Sequence, residues 1–107
     1  MKVYFLAGAQ EDLRALCHYT LRNFGEEVWR DNYQKIKDSV NRLQTAPESS
    51  STPEELADLN LSQYRQVVSG TYRIFYEIRG DTLDIHLVCD VRRDMLTLLS
   101  RRLLRSS

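Results

Sequence analysis

Twelve of the 15 basic residues in this chain are arginines. Arginine's planar fork of donors suits phosphate and carboxylate better than lysine's point charge. Arg65, Arg73, Arg92 and Arg93 lie in or directly after stretches that alternate like strands. Neighbouring antiparallel strands could bring some of them to one rim. Such a cluster could hold RNA phosphates, stabilise charge at a scissile phosphate, or grip an acidic protein segment. The plain alternative is surface pairing with Glu77, Asp90 or Asp94, which stabilises little. The Arg92–Arg93 pair resists that alternative better than Arg73 does. It sits beside Asp94 directly after an apolar run, where a simple turn would use Gly or Asn.

Other chemistries are poorly supplied. His18 and His86 are the only histidines, and Cys17 and Cys89 show no ligand spacing. No metal is expected from them. Both cysteines read as reduced core thiols of a cytoplasmic protein. Cys17 lies in the apolar stripe of a helix with no base beside it, which argues against a nucleophile. The four glycines are all single, so there is no Gly-rich phosphate loop, and no cofactor is expected. Carboxylates are many but scattered, so none form a defined acid–base pair. Arg79-Gly80-Asp81 spells an integrin-binding tripeptide but reads as a hairpin turn.

The elements that must position these residues follow from periodicity. Residues 2–6 (KVYFL) read as a first strand. Leu13, Leu16, Cys17, Thr20, Leu21 and Phe24 form the apolar face of a helix over 10–24. Gly25 fits the left-handed position that ends it. Glu26 and Glu27 open a second helix, whose stripe is Trp29, Tyr33, Ile36, Val40 and Leu43. With one glycine between them, the two helices should fold back antiparallel. Residues 46–52 (APESSST) are loop-like. Thr52 then reads as an N-cap and Pro53 as the first residue of a short helix to Leu59.

The C-terminal half turns to strands at 64–68, 72–79 and 82–90. In the second of these, Tyr72, Ile74, Tyr76 and Ile78 face one way, and Arg73, Phe75, Glu77 and Arg79 the other. In the third, Leu83, Ile85, Leu87 and Cys89 oppose Thr82, Asp84, His86, Val88 and Asp90. One apolar face implies antiparallel strands covered on one side only. Residues 95–104 form a short amphipathic helix or an apolar tail. The fold class is α+β, ordered β-α-α-β-β-β plus a C-terminal segment, with an antiparallel helix hairpin on one face of an antiparallel sheet. The other face, with Arg73, Phe75, Glu77, Asp84 and His86, is expected to be open.

The 107 residues are one domain's worth, with 42% hydrophobic and 28% charged residues. That composition excludes a disordered tail or a disulfide scaffold. No apolar run reaches the roughly 20 residues of a membrane span, and MKVYFLAGA is too short in its apolar part for a signal peptide. The formal net charge of +0 gives no case for general nucleic-acid binding. The charge is uneven, however. Residues 1–60 carry 7 basic and 10 acidic groups, and residues 61–107 carry 8 and 5.

The helix hairpin, the segment SGTYRIFYEIRGDTLDIHLV (69–88) and Val91-Arg92-Arg93-Asp94 resemble the RelE/ParE superfamily of bacterial toxins. The resemblance covers nearly the whole chain. Glu11-Asp12-Leu13 and Phe24-Gly25-Glu26 are similar to the ParE branch. The resemblance implies the toxin half of a type II toxin–antitoxin module with a cognate antitoxin. RelE-type members cut messenger RNA on the ribosome with basic residues and, in many, a C-terminal tyrosine. Characterised ParE-type members poison DNA gyrase.

Arg73 matches the family's strand arginine, Arg93 (or Arg92) the one after the last strand, and Arg65 one of two lysines. The second lysine position holds Val67, and no tyrosine follows Arg93. A nuclease without its proton donor should be slowed by orders of magnitude. The expected activity is therefore gyrase binding, without catalysis, through Arg73, Arg92, Arg93, Asp94, Arg101, Arg102 and Arg105. The alternatives are a ribosome-dependent mRNA endonuclease using Arg65, Arg73 and Arg93, or a non-toxic binding module. An open apolar sheet face and a Leu-rich tail would further call for an antitoxin to cover them.

Overall fold

The computed structural model describes residues 1–103, and at 95 and 96 the backbone alone. Its elements in order are β1 (Lys2–Phe5), α1 (Ala7–Asn23), α2 (Glu26–Thr45), α3 (Glu54–Asp58), β2 (Tyr64–Ser69), β3 (Tyr72–Arg79), β4 (Thr82–Asp90) and α4 (Met95–Leu103). The α+β order matches the expectation. Residue 104 of the expected tail lies outside the described residues.

The sheet order is β1-β4-β3-β2. β2, β3 and β4 are antiparallel, as the two short turns demand, while β1 adds to β4 in parallel. A parallel neighbour needs a long crossover. Here it is the whole helix hairpin and the two strands that follow. The hairpin turns at Gly25, whose φ of 95° suits the left-handed end expected of it.

One face of the sheet packs under α1 and α2. Ile36, Val40 and Leu43 meet Tyr72, Ile74, Tyr76, Leu83 and Ile85 there. The stripe expected on the first helix is buried only in part. Leu21 and Phe24 are exposed because α1 runs on past the sheet end, where Thr20 already meets the Tyr72 hydroxyl.

The second face is not open. Phe75, Leu87 and Cys89 are buried there under Leu56 and Leu61 from the α3 region and Leu99 and Leu103 of α4. This corrects the expectation of a sheet covered on one side. It also removes the open apolar face and loose Leu-rich tail from which the need for a covering antitoxin is argued. The alternation in β4 is broken as well. The pairing shifts between Phe75↔Leu87 and Tyr76↔Ile85, which leaves His86 as the extra residue of a β-bulge. Leu83 and Ile85 therefore enter the first core, Leu87 and Cys89 the second, and Val88 returns to the first.

Two smaller expectations change. The first helix begins at Ala7 rather than Gln10, because β1 has ended and buried Ala9 packs in the first core. Thr52 does not cap α3; its hydroxyl donates to the Ser62 carbonyl (2.9 Å), and Pro53 takes the cap position.

Candidate functional site

β1 pairs with β4 only as far as Ile85. Beyond it, the outer edge of β4 presents backbone groups that need partners. The Leu6 N–H reaches the Ile85 carbonyl (3.0 Å) as α1 begins. Arg102 then donates to the His86 carbonyl (3.2 Å), and Asp12 Oδ2 accepts from the Val88 N–H (3.0 Å). Arg102 and Asp12 also join each other in a two-pronged ion pair at 2.9 and 3.2 Å. This pair ties α4, α1 and β4 together. A Cβ on Gly8 would meet the end of the Arg102 side chain, so a larger residue there would have to displace the guanidinium.

Arg73 has a similar fate. It sits opposite Val68 and Cys89 in the sheet, on the second face. Its Nε donates to Gln66 (2.6 Å), and its two terminal nitrogens reach Glu55 of α3 at 3.3 Å each. The guanidinium also lies 5.0 Å from the Phe75 ring. Only 12% of the Arg73 side chain is exposed. The hydrogen bond from Arg73 holds the Glu55 carboxyl below the usual glutamate range, against a smaller opposing effect of burial.

Arg65 lies opposite Tyr76, on the first face. It donates to the carbonyls of Ser50 and Glu48 and so holds the 46–52 loop. The Tyr76 hydroxyl donates to Pro47 in the same loop (2.7 Å). Arg65 and Arg73 thus stand on opposite faces of the sheet, and Val67 packs against the first core. The single rim expected of Arg65 and Arg73 does not form.

The corner after β4 is different. Arg92 and Arg93 are exposed there. Arg92 grips Asp90 with Nε at 3.0 Å and a terminal nitrogen at 3.1 Å. Their hydrogen bond lowers the Asp90 carboxyl pKa and raises that of Arg92. The Arg93 side chain makes no hydrogen bond or ion pair among the described residues. Asp94 starts α4, accepting from the Thr97 N–H (3.4 Å) and hydroxyl (2.9 Å). Its carboxylate therefore serves as a helix cap. Arg101 is exposed on α4. Arg105 lies outside the described residues.

Arg92 and Arg93 line a cleft of about 370 Å³ with Asp90 and with Ala15, Leu16 and Tyr19 of α1. Tyr19 is 56% exposed and Phe24 60%, their rings edge to face at 6.2 Å. Val91, which precedes Arg92 in the chain, is exposed as well. Exposed aromatics next to arginine are the composition of protein-binding hot spots. Sequence reasoning missed Tyr19, although a large aromatic just off the apolar stripe was the available signal. It also missed Asp12 and Glu55, the partners that occupy Arg102 and Arg73.

A second open feature is the groove between β1 and α2. It has a volume of about 390 Å³, and its apolar lining includes Val3, Phe5, Leu13, Ile36 and Val40. β1 is an edge strand. Among the described residues, no group of three or more His, Cys, Asp or Glu side chains could hold a metal ion. No described helix is long and apolar enough to cross a membrane.

Comparison with known proteins agrees with the fold. The family model described as ParE toxin of type II toxin–antitoxin system, parDE, matches residues 3–95. Among solved structures, a chain of the chromosomal ParDE TA system from P. aeruginosa matches with a TM-score of 0.70 and 17% identity. The match covers 84% of this chain and 95% of that one. No curated protein matches the chain.

Proposed function

This chain belongs to the ParE toxin family of type II toxin–antitoxin systems, and from that premise we propose that it arrests growth by binding DNA gyrase, without catalysis. The observation that carries this reading is the division among its arginines. Those an RNase would need on the strands are occupied within the fold: Arg73 by Glu55 and Gln66, Arg65 by loop carbonyls. The arginines left facing solvent, Arg92 and Arg93, stand beside exposed Tyr19 and Phe24. That surface suits a protein partner better than a scissile phosphate. Arg101 extends it along α4, which Asp94 caps, while Arg73 and Arg102 are engaged by Glu55 and Asp12 within the fold.

A cognate antitoxin completes the module. The β1–α2 groove offers it an apolar floor and a free strand edge, the two features that strand addition and helix-in-groove docking use. An acidic, disordered toxin-binding segment that folds on contact fits the edge of this surface.

The test is a pulse-label. The protein is induced alone in a susceptible bacterium, and DNA and protein synthesis are followed over the first minutes. DNA synthesis falling first, with filamentation, is the expected result. Protein synthesis falling first would mean that the same arginines serve an RNase. No effect on either would indicate a non-toxic binding module. Arg92→Glu with Arg93→Glu should abolish toxicity while leaving the thermal unfolding curve in place.

A further inference from the structure

The corner Asp90-Val91-Arg92-Arg93-Asp94 sets two arginines between two aspartates. The fold does not pair them evenly. Asp90 is taken by Arg92, whose backbone N–H (2.8 Å) adds to the two side-chain bonds. Asp94 is taken by the start of α4, where Thr97 donates to both of its oxygens. Arg93 is left without a carboxylate among the described residues, although its backbone N–H is fixed to the Asp90 carbonyl (3.1 Å). An anchored backbone carrying an uncompensated guanidinium is a preorganised receptor for an anion.

The surroundings of Arg93 narrow the kind of anion. Besides the cleft it shares with Tyr19, Arg93 lines an adjoining recess of about 160 Å³. Ala15 and Leu16 of α1 line both, and Leu98 of α4 lines the recess as well. The recess exists because β1 pairs with β4 only as far as Ile85, so no strand fills the space between α1 and α4 along the end of β4. Asp12 and Arg102 also line it, but they neutralise each other. Aliphatic walls therefore meet one unbalanced positive charge. A nucleic-acid backbone would bring a row of charges and nothing to fill the recess. A protein segment with a carboxylate beside an aliphatic side chain matches both halves.

We propose that the target protein presents an acidic side chain to Arg93 and a neighbouring aliphatic side chain to the recess beside Leu16 and Leu98. This rests on the protein-binding reading given above and divides its two arginines. Arg93 supplies the charge, while Arg92, held by Asp90, is a wall of the site. Tyr19 offers ring surface to the rest of the segment.

The experiment pairs two readouts. The purified chain is titrated into DNA gyrase holoenzyme at several salt concentrations, and growth arrest is scored on inducing the same variants without antitoxin. Arg93→Gln should weaken binding roughly tenfold, the value of one charge-assisted hydrogen bond, and flatten its salt dependence. Arg93→Lys should recover part of the loss. Ala15 is exposed on α1, so Ala15→Phe can fold and put its ring where the aliphatic side chain belongs. It should weaken binding at least as much and leave the salt dependence in place. Asp90→Asn should tighten binding, since it releases Arg92. Arg93→Gln and Ala15→Phe should keep the thermal unfolding curve of the unaltered chain. Undiminished binding by either would overturn the proposal and leave the gyrase reading standing. If the unaltered chain does not bind gyrase, that reading fails instead, and growth arrest decides. Arrest lost in both variants upholds the site for another protein target, and arrest retained in either overturns it. A dimer of the unaltered chain that either variant dissolves would seat a second copy in the recess and also overturn it.

Discussion

On one face of the sheet, α1 and α2 form a continuous hairpin and seal Ile74, Tyr76, Leu83 and Ile85 with their own apolar stripes. On the other face, α3 has five residues and α4 nine, yet Phe75 and Leu87 are sealed as completely. Helices this short are marginal on their own. Each is fastened by one arginine: α3 through Glu55 to Arg73, and α4 through Arg102 to Asp12. The long cover is held by area, and the short covers by area plus a part-buried ion pair. Of the three arginines that look like a catalytic set in the sequence, Arg73 is a fastener of the second face, Arg65 holds the 46–52 loop and Arg93 faces solvent.

The sharpest way to break this comparison is to remove a large side chain from each core. Phe75→Ala should cost about 3–5 kcal/mol and Ile36→Ala about 2–5 kcal/mol, read from urea denaturation. A loss under about 1 kcal/mol for Phe75→Ala would mean that the second face is not part of the cooperative unit.

The next effect concerns the α4 fastener. Arg102→Ala and Asp12→Ala should each cost about 1.5–3 kcal/mol, as charged hydrogen bonds do. The double variant should cost less than their sum, because the two act on one interaction. Hydrogen exchange should accelerate in α4 and stay unchanged in α2. Equal acceleration in both helices would erase the distinction between the two covers.

Acid should find the α3 fastener, with a smaller effect. The Glu55 carboxyl is lowered in the folded state. Its contribution is therefore present above the ordinary glutamate range and is lost as pH falls through the folded value. Glu55→Gln should flatten that part of the stability–pH curve by less than about 1 kcal/mol, because the carboxylate is partly exposed. A curve unchanged by the substitution would show that Arg73 needs no carboxylate to stay in place.

The smallest effect is a difference in labelling rate. Burial pushes the Cys89 thiol up to about 11. Cys17, half-buried on α1, should react with a thiol reagent at pH 8 well before Cys89 does. Arg102→Ala should narrow the gap by loosening α4 over the second core. Equal rates in the unaltered protein would contradict a closed second face.

The helix hairpin, the turn at Gly25 and strands β2 to β4 were legible because local periodicity encodes them. The bulge at His86 was not, because one extra residue leaves a run that still alternates on paper. The second-face cover was not, because α3 follows a loop-like stretch and the pattern of α4 read equally well as an apolar tail. The Arg92–Arg93 corner could be located from sequence, since two arginines directly after an apolar strand fit no ordinary turn. Its aromatic half, Tyr19 and Phe24, comes from the far end of α1 and needed the fold to bring it there.

By itself the sequence determined the element order, the α+β class and the arginine-rich character of the C-terminal half. Alternation, caps and turns act over a few residues, and they are written where they act. Only the tertiary structure decided which arginines are spent inside and which face outward. That choice depends on partners far along the chain: Glu55 for Arg73, Asp12 for Arg102, and the Ser50 carbonyl for Arg65. A guanidinium is drawn to whichever acceptor the fold brings near it, and no local pattern specifies an acceptor 90 residues away in sequence.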